Sequence, residues 1–147
     1  MAPPTGPRPQ RTSAHRGERF GLPSDGPGSA AGFVRRAAAL AVDWLLAYLV
    51  SGVFLGPDAF GTPRAAWTVL AIWFVVTAVP VAAFGATSGM VALGHRVATI
   101  DGGALVGVPR AFLRTALVAL VLPPLFRDDD GRGWHDLAAR TVVVRSR

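Results

Sequence analysis

Residues 65–84 read AAWTVLAIWFVVTAVPVAAF, which is a stretch of twenty residues without one charged side chain. As an α-helix it would be about 30 Å long, which matches the hydrocarbon thickness of a bilayer. Residues 37–55, AAALAVDWLLAYLVSGVFL, form a second apolar stretch with a single charge. Helices of soluble proteins rarely stay apolar on every face over this length. We therefore predict two membrane-spanning helices, joined by the Pro- and Gly-containing link 56–64.

A third apolar stretch, residues 111–126 (AFLRTALVALVLPPLF), is shorter and contains both Arg114 and the pair Pro123-Pro124. Its sixteen residues would form a helix of about 24 Å. Two alternatives remain open. The segment spans a locally thinned bilayer, or it enters, breaks at the prolines and returns. The five arginines of the segment 127–147 favour the second alternative, because it keeps this tail in the cytoplasm.

Composition and charge set the class of protein and its orientation. Charged residues make up 16% of the chain, against about 25% in soluble domains, and the absence of cysteine excludes disulfides and thiolate metal sites. The net charge of +6 comes without a basic face of interleaved aromatic residues, so nucleic-acid binding is not expected. Arg19, Arg35 and Arg36 precede the first apolar stretch, whereas the link 56–64 is neutral. The positive-inside rule then predicts a cytoplasmic N-terminus. With at least two spanning helices, we expect a multi-pass plasma-membrane protein.

The chain divides into an N-terminal arm and a membrane domain. Residues 1–32 contain six prolines and six glycines and predict a disordered cytoplasmic arm. This arm has no apolar core of the kind found in signal peptides, so the first spanning helix is expected to act as its own insertion signal. Residues 33–147 form the membrane domain. We predict an all-α integral membrane protein, a small bundle of two spanning helices plus the short or re-entrant third segment.

Two charged side chains lie within the apolar stretches. A carboxylate six residues into the first stretch, Asp43, costs a few kcal/mol in lipid and must be compensated. It is either a structural polar contact or an ion or proton site. Because Arg114 is expected at a similar depth, we predict an ion pair between Asp43 and Arg114. Arg36 lies seven residues before Asp43, about 10.5 Å along the helix, too far for a direct salt bridge. It is expected to meet a partner or lipid headgroups at the cytoplasmic surface.

Short elements are predicted outside the apolar stretches. Residues 97–100 and 104–108 flank a turn at Asp101 and resemble a β-hairpin. The β-branched run 141–144 is expected to pair with this loop, since a lone strand is marginal, and residues 134–140 are predicted to form a short amphipathic helix. The histidines at positions 15, 95 and 135 have no metal-ligand spacing, and no nucleophile–base motif occurs. We therefore expect no enzyme activity, no metal and no cofactor.

Several short motifs, taken in order, resemble the RDD family of membrane proteins. They are RAAALAVD at 36–43, GATSG at 85–89, LGHRV at 93–97, the Asp-Gly pair at 101–102, Arg114, and HDLAARTVV at 135–143. The family is named for one arginine and two aspartates, which the resemblance assigns to Arg36, Asp43 and Asp136. Transport of unidentified ligands has been suggested for this family. If the tail returns to the cytoplasmic surface, Asp136 is expected to approach Arg36 there.

Two functions are compatible with these residues. The first is a small ion- or solute-transport subunit in which Asp43 is the exchangeable carboxylate. The second is a non-catalytic membrane anchor or assembly subunit that binds a protein partner. Because a few spanning segments cannot enclose a wide pathway, a transporter of this size would have to form a homo-oligomer or join a partner membrane protein. In both cases the lipid bilayer is the surrounding partner.

Overall fold

The computed structural model describes residues 15–56, 60–120 and 132–147. This part of the chain is mostly helical, as predicted, with one small sheet. A 3₁₀ turn at Glu18–Phe20 precedes the main elements. In chain order these are α1 (Phe33–Leu55), α2 (Pro63–Phe84), α3 (Ser88–Ala92), β1 (His95–Thr99), α4 (Val108–Ala119), α5 (Trp134–Ala138) and β2 (Thr141–Arg145).

The two long apolar stretches are helices, and they pack against each other as a hairpin. The side chain of Thr62 accepts a hydrogen bond from the backbone N–H of Ala65 (3.2 Å) and so caps the start of α2. Gly85 ends the same helix in the left-handed conformation, with φ 72°. Trp44 of α1 stacks on Trp73 of α2 with ring centroids 4.9 Å apart, which fixes the register of the hairpin.

Most of the hairpin surface is apolar and uncovered. Both helices are long and apolar enough to cross a membrane, yet only 22% of the most apolar part of α1 and 28% of that of α2 is buried. Large side chains such as Leu49 and Val53 of α1 and Trp67 and Val79 of α2 point outward. A core helix of a soluble protein is mostly buried, whereas most of this apolar surface is not.

A small antiparallel sheet joins the loop after α2 to the C-terminal tail. His95 pairs with Arg145 and Thr99 with Thr141, which confirms the predicted pairing between the loop and the tail. The hairpin predicted inside the loop is wrong, because residues 104–107 form no strand and α4 begins at Val108. Pro109 stands in the first turn of that helix, where its fixed φ and missing N–H are favourable.

The segment before α1 differs from the disordered arm expected from its composition. The backbone N–H groups of Gly28 and Ala31 donate to the carbonyl oxygens of Arg145 and Val143, both at 2.8 Å. Residues 28–31 therefore run along the free edge of β2, which satisfies backbone groups that a disordered segment would leave to water. Residues 1–14 lie outside the described part of the chain.

All of these short elements lie at one end of the hairpin, where α1 begins and α2 ends. We call this end the cap, and it comprises residues 28–32, α3, the two-stranded sheet, α5 and the first half of α4. The C-terminal strand β2 is thus at the same end as the loop that follows α2. Of the predicted segment 111–126, the described part is α4 up to Ala119 and the C-cap Leu120; the pair Pro123-Pro124 lies outside the described residues.

Candidate functional site

Asp43 is buried in α1. Two hydrogen-bond donors at the start of α3 bind its carboxylate. The hydroxyl of Thr87 donates to Oδ2 (2.5 Å), and the backbone N–H of Gly89 donates to Oδ1 (2.8 Å). Thr87 is also the N-cap of α3, where its Oγ1 accepts the N–H of Met90 at 3.1 Å. The carboxylate therefore anchors the start of α3 to α1, and both of its oxygens are occupied by protein donors.

This contact depends on a glycine at the point where α3 crosses α1. A Cβ atom built on Gly89 would lie 2.1 Å from the carbonyl oxygen of Ala39, one helical turn before Asp43. The backbones approach so closely that no larger residue fits without displacing α3. The N–H of Gly89 reaches the Asp43 carboxylate because of the same close approach.

A second carboxylate, Asp136 of α5, is completely buried and binds two arginines. Its Oδ1 accepts hydrogen bonds from Arg114 Nε (2.9 Å) and from the Thr141 hydroxyl (3.2 Å). Its Oδ2 accepts a hydrogen bond from Arg36 Nη2, and His135 Nε2 lies 3.4 Å from the same oxygen. One side chain thus joins α1, α4 and the start of β2 to α5.

The electrostatics of this cluster keep Asp136 ionised. Burial, the largest single influence, would raise the pKa of Asp136. The positive charges of Arg114 and Arg36 outweigh it and hold the pKa of this carboxyl well below its usual range. Since the pKa is lowered in the folded chain, the carboxylate stabilises the fold at neutral pH.

The structure corrects one sequence-based pairing. We predicted an ion pair between Asp43 and Arg114, but Arg114 binds Asp136 and Asp43 binds Thr87 and Gly89. The physical reason is that the tail supplies a better partner: a guanidinium and a carboxylate pair with good geometry once α5 packs on α4. The approach of Asp136 to Arg36, expected if the tail returned, is observed.

Of the four predicted site residues, Arg36, Arg114 and Asp136 therefore form one cluster, and Asp43 has its own set of contacts. Sequence reasoning did not identify Thr87 and Gly89 as its partners. The Thr-Ser-Gly sequence after a helix-ending glycine is a visible N-cap signal for α3. It gives no indication, however, of which distant side chain the new helix end will meet.

His95 is a buried side chain close to both sets of contacts. Its Nδ1 lies 3.3 Å from the carbonyl oxygen of Leu93, and its Nε2 has no hydrogen-bond partner among the described residues. Burial lowers the pKa of His95, and the charges of Arg36 and Arg35 lower it further. The imidazole is therefore neutral at pH 7.

Among the described residues, the donors that bind the two carboxylates all come from the chain itself. Within residues 15–56, 60–120 and 132–147, no group of three His, Asp or Glu side chains is arranged to hold a metal ion. Comparisons of the chain with family models, curated proteins and solved structures found no match. Each buried carboxylate fixes one or more cap elements to another helix.

Proposed function

We propose that this chain is a multi-pass plasma-membrane protein of the RDD type that acts as a non-catalytic assembly subunit. The observation that carries this proposal is the use of its buried charges. The carboxylate oxygens of Asp43 and Asp136 accept hydrogen bonds from donors within the chain, and these bonds connect the cap to α1 and α4. Buried charges arranged in this way specify one packing of the chain.

Membrane insertion is supported by the uncovered apolar surface of the hairpin, which lipid would cover. The decisive test is carbonate washing of membranes that contain the expressed protein. The chain should stay in the pellet and be released by detergent. Release into the supernatant by carbonate would overturn the proposal. Light scattering of the detergent-purified protein then measures its mass and shows whether it forms a homo-oligomer or carries a second membrane protein.

The proposed orientation places the cap in the cytoplasm. The pairing of β1 with β2 supports the re-entrant alternative for residues 111–126, since it keeps the tail beside the loop after α2. The chain has no native cysteine, so single cysteines report sidedness directly. A membrane-impermeant maleimide should label Arg64→Cys on intact cells, but Ala104→Cys and Ser146→Cys only after permeabilisation. Labelling of Ser146→Cys on intact cells would contradict the re-entrant arrangement.

Ion or solute transport is the second candidate, and the position of Asp43 favours it. A carboxylate within an apolar helix is costly, and such residues often mark ion and proton pathways. Asp43→Asn separates the two functions in reconstituted vesicles. The transport hypothesis predicts normal membrane abundance with loss of proton or cation flux. The assembly hypothesis predicts no flux in the wild type, and altered abundance or partner binding in the variant.

A further inference from the structure

Three polar side chains inside the helical bundle have no hydrogen-bond partner among the described residues. The unpaired groups are the indole N–H of Trp73 and the hydroxyls of Thr77 and Thr115. Each of these side chains is at least 95% buried, so neither solvent nor lipid surrounds it. An unpaired buried polar group costs more free energy than a typical hydrogen bond contributes. Three of them in one part of the bundle therefore call for a common partner.

The backbone of their own helices does not satisfy the two hydroxyls. A hydroxyl within a helix often donates to the carbonyl oxygen four residues earlier. The hydroxyls of Ser51 in α1 (2.7 Å) and Thr68 in α2 (2.9 Å) do so. Thr77 and Thr115 make no such bond, so their hydroxyls are left for a partner between the helices.

Thr115 and Trp73 come together where α4 packs on α2. Phe112, three residues before Thr115, contacts the ring of Phe74 with the centroids 5.5 Å apart. Val118, three residues after Thr115, packs against the buried cluster that contains Trp73. Because residues three apart share one face of a helix, the buried side chain of Thr115 faces α2 beside Trp73.

Thr77 and Asp43 lie close to this point on the two long helices. Thr77 follows Trp73 by one helical turn and shares its buried face of α2. Asp43 precedes Trp44, whose ring stacks on that of Trp73. One turn after Asp43 on the same buried face of α1, Ala47 packs in the cluster with Trp73. The three unpaired groups and the Asp43 carboxylate therefore lie at nearly the same level of the bundle.

We propose that Trp73, Thr77 and Thr115 bind a buried water molecule beside Asp43. This site does not depend on the proposed assembly role. Water accepts a hydrogen bond from the indole N–H, and with a hydroxyl it is either donor or acceptor. Buried waters typically make about three hydrogen bonds. The indole is a donor only, so this set of groups fits water and not a cation.

The test is solution NMR of the detergent-purified full chain with isotope-labelled tryptophan, which measures the transfer of magnetisation from water to each indole N–H. Trp73→Phe assigns the signal of interest. We expect a water contact at Trp73 that the double variant Thr77→Val/Thr115→Val removes. Thr68→Val is the matched control and should keep the contact, because the Thr68 hydroxyl is already bonded to its own helix. Thr77→Ser/Thr115→Ser retains both hydroxyls and should keep it too.

Thermal unfolding of the same variants gives a second readout, in which the sign of the change decides. If water is bound, each single valine variant removes one of its partners and should lower the Tm by about 2–12 °C. If no water is bound, valine removes an unpaired buried hydroxyl, and the Tm should stay the same or rise.

Three results would overturn the inference. They are the absence of a water contact at Trp73 in the wild type, its persistence in the double valine variant, and an unchanged or raised Tm in both single valine variants. Loss of the contact in the double serine variant would also count against it, since the hydroxyls would then not be what holds the water.

Discussion

Replacing Asp136 by asparagine tests whether this carboxylate holds the cap together. The variant keeps the shape of the side chain but leaves Arg36 and Arg114 close together without their shared counter-charge. Removing one partner of a buried ion pair costs about 3–5 kcal/mol. At about 2–4 °C per kcal/mol for a chain near 150 residues, the Tm should fall by roughly 6–20 °C.

The assay is thermal unfolding of the detergent-purified protein, followed by circular dichroism. Asp101→Asn is the matched control, because Asp101 also pairs with an arginine but is exposed. This control should leave the Tm unchanged. A third variant replaces Arg36, Arg114 and Asp136 by Met, Met and Leu, and should recover most of the lost stability, since well-packed apolar residues often replace a buried ionic cluster. The reasoning is refuted if Asp136→Asn melts within about 2 °C of the wild type.

Three further predictions concern the cap. Gly89→Ala should lower the free energy of unfolding by about 1–3 kcal/mol or more, because the added Cβ would lie 2.1 Å from a backbone carbonyl oxygen of α1. Gly52→Ala is the control for this variant in thermal unfolding. It should not destabilise the chain, because its added Cβ meets only ring carbons of Phe60 at 3.6 Å. Thr87→Val should cost about 1–3 kcal/mol in denaturant titrations, since a buried carboxylate loses one of its two donors, and an unchanged midpoint would argue against the anchoring role. The stabilisation from Asp136 should be complete at neutral pH. It should decline as the pH falls below about 4, because the Asp136 carboxyl takes up a proton in the unfolded chain before it does so in the folded chain. Between pH 7 and pH 3, the Tm of Asp136→Asn should therefore fall less than the Tm of the wild type.

The long helices were predictable from the sequence because their signal is local. Twenty consecutive uncharged residues have few alternatives to a long apolar helix, and α2 matches the predicted segment to within two residues at its start. The pairing of β2 with the loop after α2 was also within reach, because two short β-branched runs need a partner strand. The register of that pairing, His95 with Arg145, was not encoded in either run alone.

The partners of the buried charges were harder to predict because they come from distant parts of the chain. The expected depth in the bilayer predicted an ion pair between Asp43 and Arg114. Depth does not indicate, however, which face of α4 packs against α5. The last residues before α1 are a second case in which partners come from a distant part of the chain. Their proline and glycine content favours disorder, yet residues 28–31 find backbone partners on β2. Amino-acid composition indicates only the local conformational preference of a segment. For residues 28–31, backbone hydrogen bonds to the free edge of β2 outweigh that preference.

The sequence separation within the Asp136 cluster has a consequence for biogenesis. Arg36 stands at the start of the first long helix, and the carboxylate that neutralises it is encoded one hundred residues later. A nascent chain therefore carries this arginine without its counter-ion until synthesis has passed α5. Termination between residues 36 and 114 leaves Arg36 without this carboxylate, and termination between 114 and 136 leaves Arg114 without it as well.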